Sequence, residues 1–224
     1  IVRRLVGSEM CIRDRLLFCD TKSQRKLLWF LMIITIFPIF CLLMLYGFGS
    51  MTRVPTSLWG GITLNLTLAT LSLILSTPYG ILLALGRRSN LPIFRYLSIG
   101  LIEFIRGVPL ITLLFMAAVM LPLFFPANIV FDKVARIVFI LTLFGGAYIA
   151  ECVRGGLDAI PKSQFESAQS LGLSYWKMMI LVILPQALRI SLPAIMNTFI
   201  AIVKDTSLVT IIGLLDILGI LTPV

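Results

Sequence analysis

Histidine is absent from the 224 residues, and Asp, Glu, Lys and Arg together make up only 13% of them. Soluble domains carry about 25%. Without histidine there is no His-ligated metal centre and no Ser-His-Asp triad. The four cysteines (Cys11, Cys19, Cys41 and Cys152) have no Cys-x-x-Cys spacing and are read as structural or incidental. No Gly-x-x-x-x-Gly-Lys-Ser/Thr loop occurs, so the chain does not cradle ATP by that device. No catalytic residue, metal site or cofactor is assigned. What the chain has in excess is apolar: 59% hydrophobic residues and a mean hydropathy of +1.05. A cytosolic domain, a disordered chain and a fibrous repeat are excluded, and an all-α integral membrane protein is indicated. The net charge of +9 is spread between apolar runs rather than gathered in a basic block. That distribution suits membrane boundaries and argues against nucleic acid as a partner.

The domain reading has three parts. Residues 5–15 resemble the conceptual translation of a transposase adapter used in sequencing libraries, so 1–15 are set aside as an artefact. Residues 16–56 are read as a tail, an extra membrane span and an outer linker. Residues 57–224 are the expected core.

Apolar runs of spanning length cover about 27–48, 61–86, 97–125, 134–153 and 178–203. The third is interrupted by Arg106-Gly107-Val108-Pro109. The run at 207–221 is too short to cross, and is read as re-entrant, surface-lying or cut off by the chain end. Lys22, Arg25 and Lys26 precede the first run and place the N-terminus in the cytoplasm. Alternation then puts Arg87, Arg88, Arg95, Arg154, Lys162 and Lys177 inside, and Arg53, Lys133, Arg136 and Lys204 outside. The inner excess agrees with that orientation, in which the polar loop 154–177 is cytoplasmic.

Charges at membrane depth are expensive and need a reason. Glu103 with Arg106, and Glu151 with Arg154, stand at i, i+3, where each pair can neutralise itself. Two readings stay open: boundary pairs that set helix depth, or groups lining a path. Gln186, Arg189, Pro193 and Asn197 fall on one helical stripe, which faces either protein or water. Thr63, Thr67, Thr70 and Thr77 form a hydroxyl stripe suited to close helix contact.

The polar loop has its own punctuation. Pro161 suits a first helical turn, 162–171 reads as a short helix, Gly172 is a natural stop, and Ser174 is placed to cap the next helix. Such a helix is too short to stand alone in water and needs a docking surface. Glu166-Ser167-Ala168, three residues, Gly172, nine residues, then Val182-Ile183-Leu184-Pro185 resembles the Glu-Ala-Ala loop of permeases in ATP-binding-cassette importers. Ser167 and Val182 depart conservatively from that pattern. Four further blocks resemble the polar amino acid branch of the family: Glu103 to Leu110, Ala147-Tyr148-x-x-Glu151-x-x-Arg154-Gly155-Gly156, Leu184-Pro185-Gln186-Ala187, and Lys204-Asp205-Thr206-Ser207-Leu208. The segments 85–90 and 107–112 are similar to those of general L-amino-acid transport permeases.

The resemblance implies a multi-span helical permease of the type I importer kind with a cytoplasmic coupling helix. It implies a bacterial inner-membrane subunit that passes L-amino acids from a periplasmic binding protein into the cytoplasm. ATP hydrolysis is expected on a separate ATPase dimer, so the chain itself is not expected to be an enzyme. A second permease subunit is expected, as a heterodimer in preference to a homodimer. Glu166, Ser167, Ala168, Gly172, Leu184 and Pro185 become the coupling residues. Tyr148 and Glu151, with Gln186, Arg189 and Asn197, become candidates for the substrate path. The family carries another helix after the Lys204–Leu208 block, so a C-terminally truncated core is expected. A permease for another small solute and a secondary transporter are the alternatives.

Overall fold

The computed structural model describes residues 59–124 and 132–214. The first apolar run, at 27–48, and the linker after it lie outside the described residues, as does 215–224. Within the described residues every regular element is helical. Helix α1 spans Gly61–Arg87 and α2 spans Pro92–Gly107. Helix α3, Leu110–Phe115, continues through a π-turn at Met116–Met120 and a 3₁₀ turn at Leu121–Phe124. Helix α4 spans Lys133–Asp158 and the short α5 spans Lys162–Ser170. Helix α6, Tyr175–Met178, passes through a second π-turn, Met179–Ile183, into α7, Leu184–Asp205. A 3₁₀ segment, Thr206–Ile212, follows.

Three stretches are long and apolar enough to cross a membrane: Gly61–Arg87, Lys133–Asp158 and Tyr175–Thr210. The interruption at Arg106–Pro109 is a bend of 102° between α2 and the helix that follows it. Val108 is extended, as expected for a residue preceding proline, and Pro109 then opens the next helix.

Helix α4 is the central element, packed between α1 and α7. A Cβ on Gly80 would lie 2.8 Å from the carbonyl of Gly146, and one on Gly156 would lie 2.4 Å from the carbonyl of Ala187. Both seams therefore bring backbones together through small residues, the packing that helices use where lipid gives no hydrophobic drive. One apolar core joins Leu64, Leu68, Leu114, Ile137, Leu141 and Val209. A second, at the end carrying α5, joins Ile102, Ile149, Val153, Leu157, Ile183 and Ala187.

Four sequence expectations are corrected. First, the polar loop begins later than Arg154, because α4 stays helical to Asp158. Second, Arg136 is no loop residue: it sits within α4 and is only 9% exposed. Its Nη1 donates to the carbonyls of Ala118 at 2.8 Å and Ala117 at 3.4 Å, in the π-turn of α3. Third, the hydroxyl contact face of α1 is Thr67, Ser72 and Ser76, which are fully buried, whereas Thr63 is exposed. These hydroxyls bond their own helix, as Thr67 does to the Thr63 carbonyl at 2.7 Å, so they satisfy themselves while letting helices approach. Fourth, Ser174 holds the N-cap position of α6, but its hydroxyl makes no cap bond there.

Candidate functional site

The loop between α4 and α7 is built from turn chemistry. Ala159 closes α4 by donating its N–H to Gly155 at 3.2 Å, and Pro161, with φ −66° and ψ 146°, turns the chain into α5. At the other end Gly172 has φ +71°, the left-handed conformation that costs glycine nothing. The Gly172 N–H reaches the Gln169 carbonyl at 2.9 Å, and the Leu173 N–H reaches Ala168 at 3.4 Å. That pair of bonds is a Schellman stop.

Ala168 alone of α5 is buried, against the core around Leu157, Ile183 and Ala187. Glu166 and Ser167 point away from the chain. The Ser167 hydroxyl returns to the Ser163 carbonyl at 2.7 Å. The carboxylate of Glu166 pairs with no cation among the described residues. Leu171 is 78% exposed, and Tyr175 and Trp176 stand exposed beside it, edge to face at 5.6 Å. The polar helix, Leu171 and the aromatic pair together form one outward-facing surface.

The base of the loop is tied to α7. Leu184 and Pro185 open α7 immediately after the π-turn. Pro185 has no N–H and cannot continue a regular ladder, and the wider turn takes up that misfit. The Gln186 amide donates to the Val182 carbonyl at 3.0 Å and reaches Gln164 Oε1 on α5 at 3.4 Å. The structure thus places Gln186 at the loop's base.

Glu151, with its side chain 17% exposed, is the hub of an ion cluster. Arg87 meets its Oε1 at 2.5 Å, Arg154 meets its Oε2 at 2.8 Å and Arg106 stands 3.7 Å from Oε2. Arg88 pairs with Asp158, and Arg87 also stands 3.6 Å from Glu103. The i, i+3 pairing expected for Glu151 and Arg154 forms. The one expected for Glu103 and Arg106 does not: Glu103 turns to Arg87 on α1, and Arg106 turns to α4. The Arg106 guanidinium also lies over the Tyr148 ring, 5.4 Å from its centre, a cation–π contact.

Tyr148 faces two environments. On one side is Arg106; on the other is a cavity of about 360 Å³ between α4 and α7, lined by Phe144, Tyr148, Asn197, Thr198 and Asp205 among others. Of the five path candidates, Tyr148 and Asn197 meet in this cavity. Glu151 belongs to the ion cluster, Gln186 to the base of the loop between α4 and α7, and Arg189 is exposed on α7. Sequence reasoning overlooked Asp205 as a cavity residue, although Lys204-Asp205 stood in a flagged block. It also assigned Arg87 to a loop, where its 64-residue separation from Glu151 hid the contact.

These features define a helical membrane protein with a projecting polar loop between two spans. Residues 76–222 match the family described as binding-protein-dependent transport system inner membrane component. The chain belongs to this family and is a multi-pass inner-membrane protein. It is 55% identical over 183 residues to the inner membrane amino-acid ABC transporter permease protein YhdY of Escherichia coli K12, a match covering 81% of this chain and 50% of that protein. It is 50% identical to the glutamate/glutamine/aspartate/asparagine transport system permease protein BztC of Rhodobacter capsulatus, covering 75% of this chain and 38% of that one. The chain thus spans half or less of the length of these two relatives. The probable glutamine ABC transporter permease protein GlnP of Bacillus subtilis is 36% identical, with 72% of each chain covered. A solved amino acid ABC transporter with histidines is similar in fold, with a TM-score of 0.60, 32% identity, and coverage of 68% of this chain and 70% of that one. A MetNI methionine ABC transporter in an inward-facing conformation shares the fold at TM-score 0.53 and 20% identity, with 69% and 72% covered.

Proposed function

We propose that this chain is the permease subunit of an ATP-driven importer that moves L-amino acids from a periplasmic binding protein into the cytoplasm. The observation that carries the reading is the loop: α5, stopped at Gly172, offers Glu166, Leu171 and Trp176 outward while Ala168 and Gln164 hold it to α4 and α7. A helix so held transmits a pull to the two spans it joins. In this reading ATP is hydrolysed by a separate ATPase dimer that grips α5, and the N-terminus lies in the cytoplasm. Amino acids as the solute rest on the relatives, which bear amino-acid names, and on the Tyr148-to-Gly156 and Lys204-to-Leu208 blocks.

A second permease subunit completes the path, preferably a paralogue. On α7 the stripe Gln186, Arg189, Pro193 and Asn197 lies roughly opposite the buried face of Ala187, Ser191, Ile195 and Ile202. Gln186 is met by Gln164 of α5, but Asn197 is exposed, and a polar group within a span needs protein or water beside it in a bilayer.

The test is Glu166→Lys in the full chain, co-expressed with the ATPase and the binding protein. Capture of the ATPase and ATP-dependent amino acid uptake should both fall, while the permease stays in the membrane at its normal level. Unchanged capture and uptake would remove the coupling role. Uptake that persists without any ATPase would favour a secondary transporter. ATP-dependent uptake of a different solute would keep the loop and discard the amino acid.

A further inference from the structure

The turn between α1 and α2 carries a polar hollow of about 410 Å³, lined by Arg87, Arg88, Ser89, Asn90, Arg95 and Tyr96 among others. Along the outer face of α2 runs an open apolar groove of about 620 Å³, lined by Ile93, Tyr96, Leu97, Gly100, Leu101 and Phe104. The two share Tyr96, so the polar hollow borders the apolar groove. We propose that together they bind one anionic phospholipid, its phosphate in the hollow and an acyl chain along the groove.

Charge favours an anion there. Around this end stand Arg87, Arg88, Arg95, Arg106 and Arg154, against the carboxylates of Glu103, Glu151 and Asp158. The arginines outnumber the acids. The guanidinium of Arg95 is exposed and pairs with no carboxylate among the described residues. The Ser89 oxygen accepts the Leu91 N–H at 3.2 Å, which leaves its own proton to donate. Basic pockets at the ends of membrane helices recognise anionic head groups in this way.

The groove fits the other half of the molecule. Residues 93 to 104 of a helix rise about 16 Å, and half of a hydrocarbon core about 30 Å thick is one leaflet. Ile93, Leu97 and Phe104 are well exposed to one side, with Gly100 as the notch between them: a Cβ at Gly100 would meet nothing within 4 Å. Tyr96 sits at the junction, where an amphipathic ring belongs at the head-group level. An inorganic anion would use the hollow and leave the groove without purpose. A phospholipid uses both.

Two variants separate the halves. Arg95→Gln removes the unpaired charge. Gly100→Leu fills the notch from a Cβ that meets no protein atom within 4 Å. The full-length permease complex, purified in mild detergent, is exposed to mixed micelles containing dioleoyl phosphatidylglycerol or dioleoyl phosphatidylcholine. Bound lipid is then counted by native mass spectrometry. The wild type should retain phosphatidylglycerol over phosphatidylcholine by at least about fivefold, the factor one surface arginine provides. Arg95→Gln should lose about that factor, and Gly100→Leu should lose retention while keeping its helical content. Equal retention of the two lipids, or unchanged phosphatidylglycerol binding in both variants, would overturn the site. So would displacement of the lipid by inorganic phosphate with Gly100→Leu binding normally, which would reduce the site to an anion pocket. A Leu97→Cys variant that cross-links to residues 1–58 or to a second permease would also overturn it, because protein would then occupy the groove.

Discussion

At the residue scale the structure turns on groups whose partners come from elsewhere in the chain. Glu151 alone cannot balance Arg87, Arg106 and Arg154, but with Glu103 and Asp158 it holds four guanidiniums in a shared network. Among the described residues both of its oxygens meet arginines. Glu151→Gln should therefore act first on stability. Breaking a partly buried ion pair from one side costs on the order of 3 kcal/mol, read as a lower thermal midpoint of the detergent-solubilised protein. In transport, the anchoring role predicts a reduced amount of active permease with unchanged preference among amino acids. A changed preference would instead put Glu151 on the path. Gly172 offers a cleaner case. A Cβ there meets nothing within 4 Å, so Gly172→Ala carries only the conformational cost of φ +71°, about 1–2 kcal/mol. Gly172→Asn, which tolerates that conformation, should retain coupled uptake where Gly172→Val loses it.

At the element scale the two π-turns stand out. Each widens a helix at a point where something else needs the backbone. In α3 the turn at Met116–Met120 offers the carbonyls of Ala117 and Ala118 to Arg136, a charge reaching in from α4. Removing that donor leaves carbonyls unsatisfied, at about 1–3 kcal/mol. Arg136→Met should accordingly destabilise the fold and expose a cysteine placed at Ala118 to thiol reagents, whereas Arg136→Lys should protect it better. In the other turn, Met179–Ile183 absorbs Pro185 and lets Gln186 bond both Val182 and Gln164. The elements themselves were legible in sequence because their signals are local: apolar length, the interruption at Arg106–Pro109, Pro161 as an opener, Gly172 as a stop. The end of α4 was misjudged at Arg154 because charge was taken to mean loop. Four arginines and three acids sharing one cluster let the helix stay intact to Asp158.

At the scale of the whole molecule, α4 is held by contacts too close for side chains. Gly156→Leu would drive atoms into the carbonyl of Ala187, 2.4 Å from the first carbon alone, and should part α4 from α7. The expected outcome is loss of folded protein from the membrane, checked by protease sensitivity, with Gly155→Leu as the matched control because its Cβ meets open space. The polar stripe of α7 makes a claim about assembly. Asn197→Cys in this chain should cross-link to a cysteine on a second permease in native membranes, and a chain that cross-links to no second permease would place the stripe elsewhere.

The sequence by itself determined that this protein is helical, membrane-embedded and equipped with a short projecting loop. Those properties follow from hydropathy, from the residues that start and stop helices, and from spacing along one stretch of chain. Only the tertiary structure decided which charges neutralise which. Arg87 and Glu151 are 64 residues apart, and no local periodicity encodes their meeting. It also decided that Tyr148 and Asn197 share a cavity with Asp205, while Gln186 bonds to Gln164 at the base of the projecting loop. Residues on one helical stripe face the same way, but what they face depends on the packing of α4 against α1 and α7. That packing depends in turn on where glycine lets one backbone touch another.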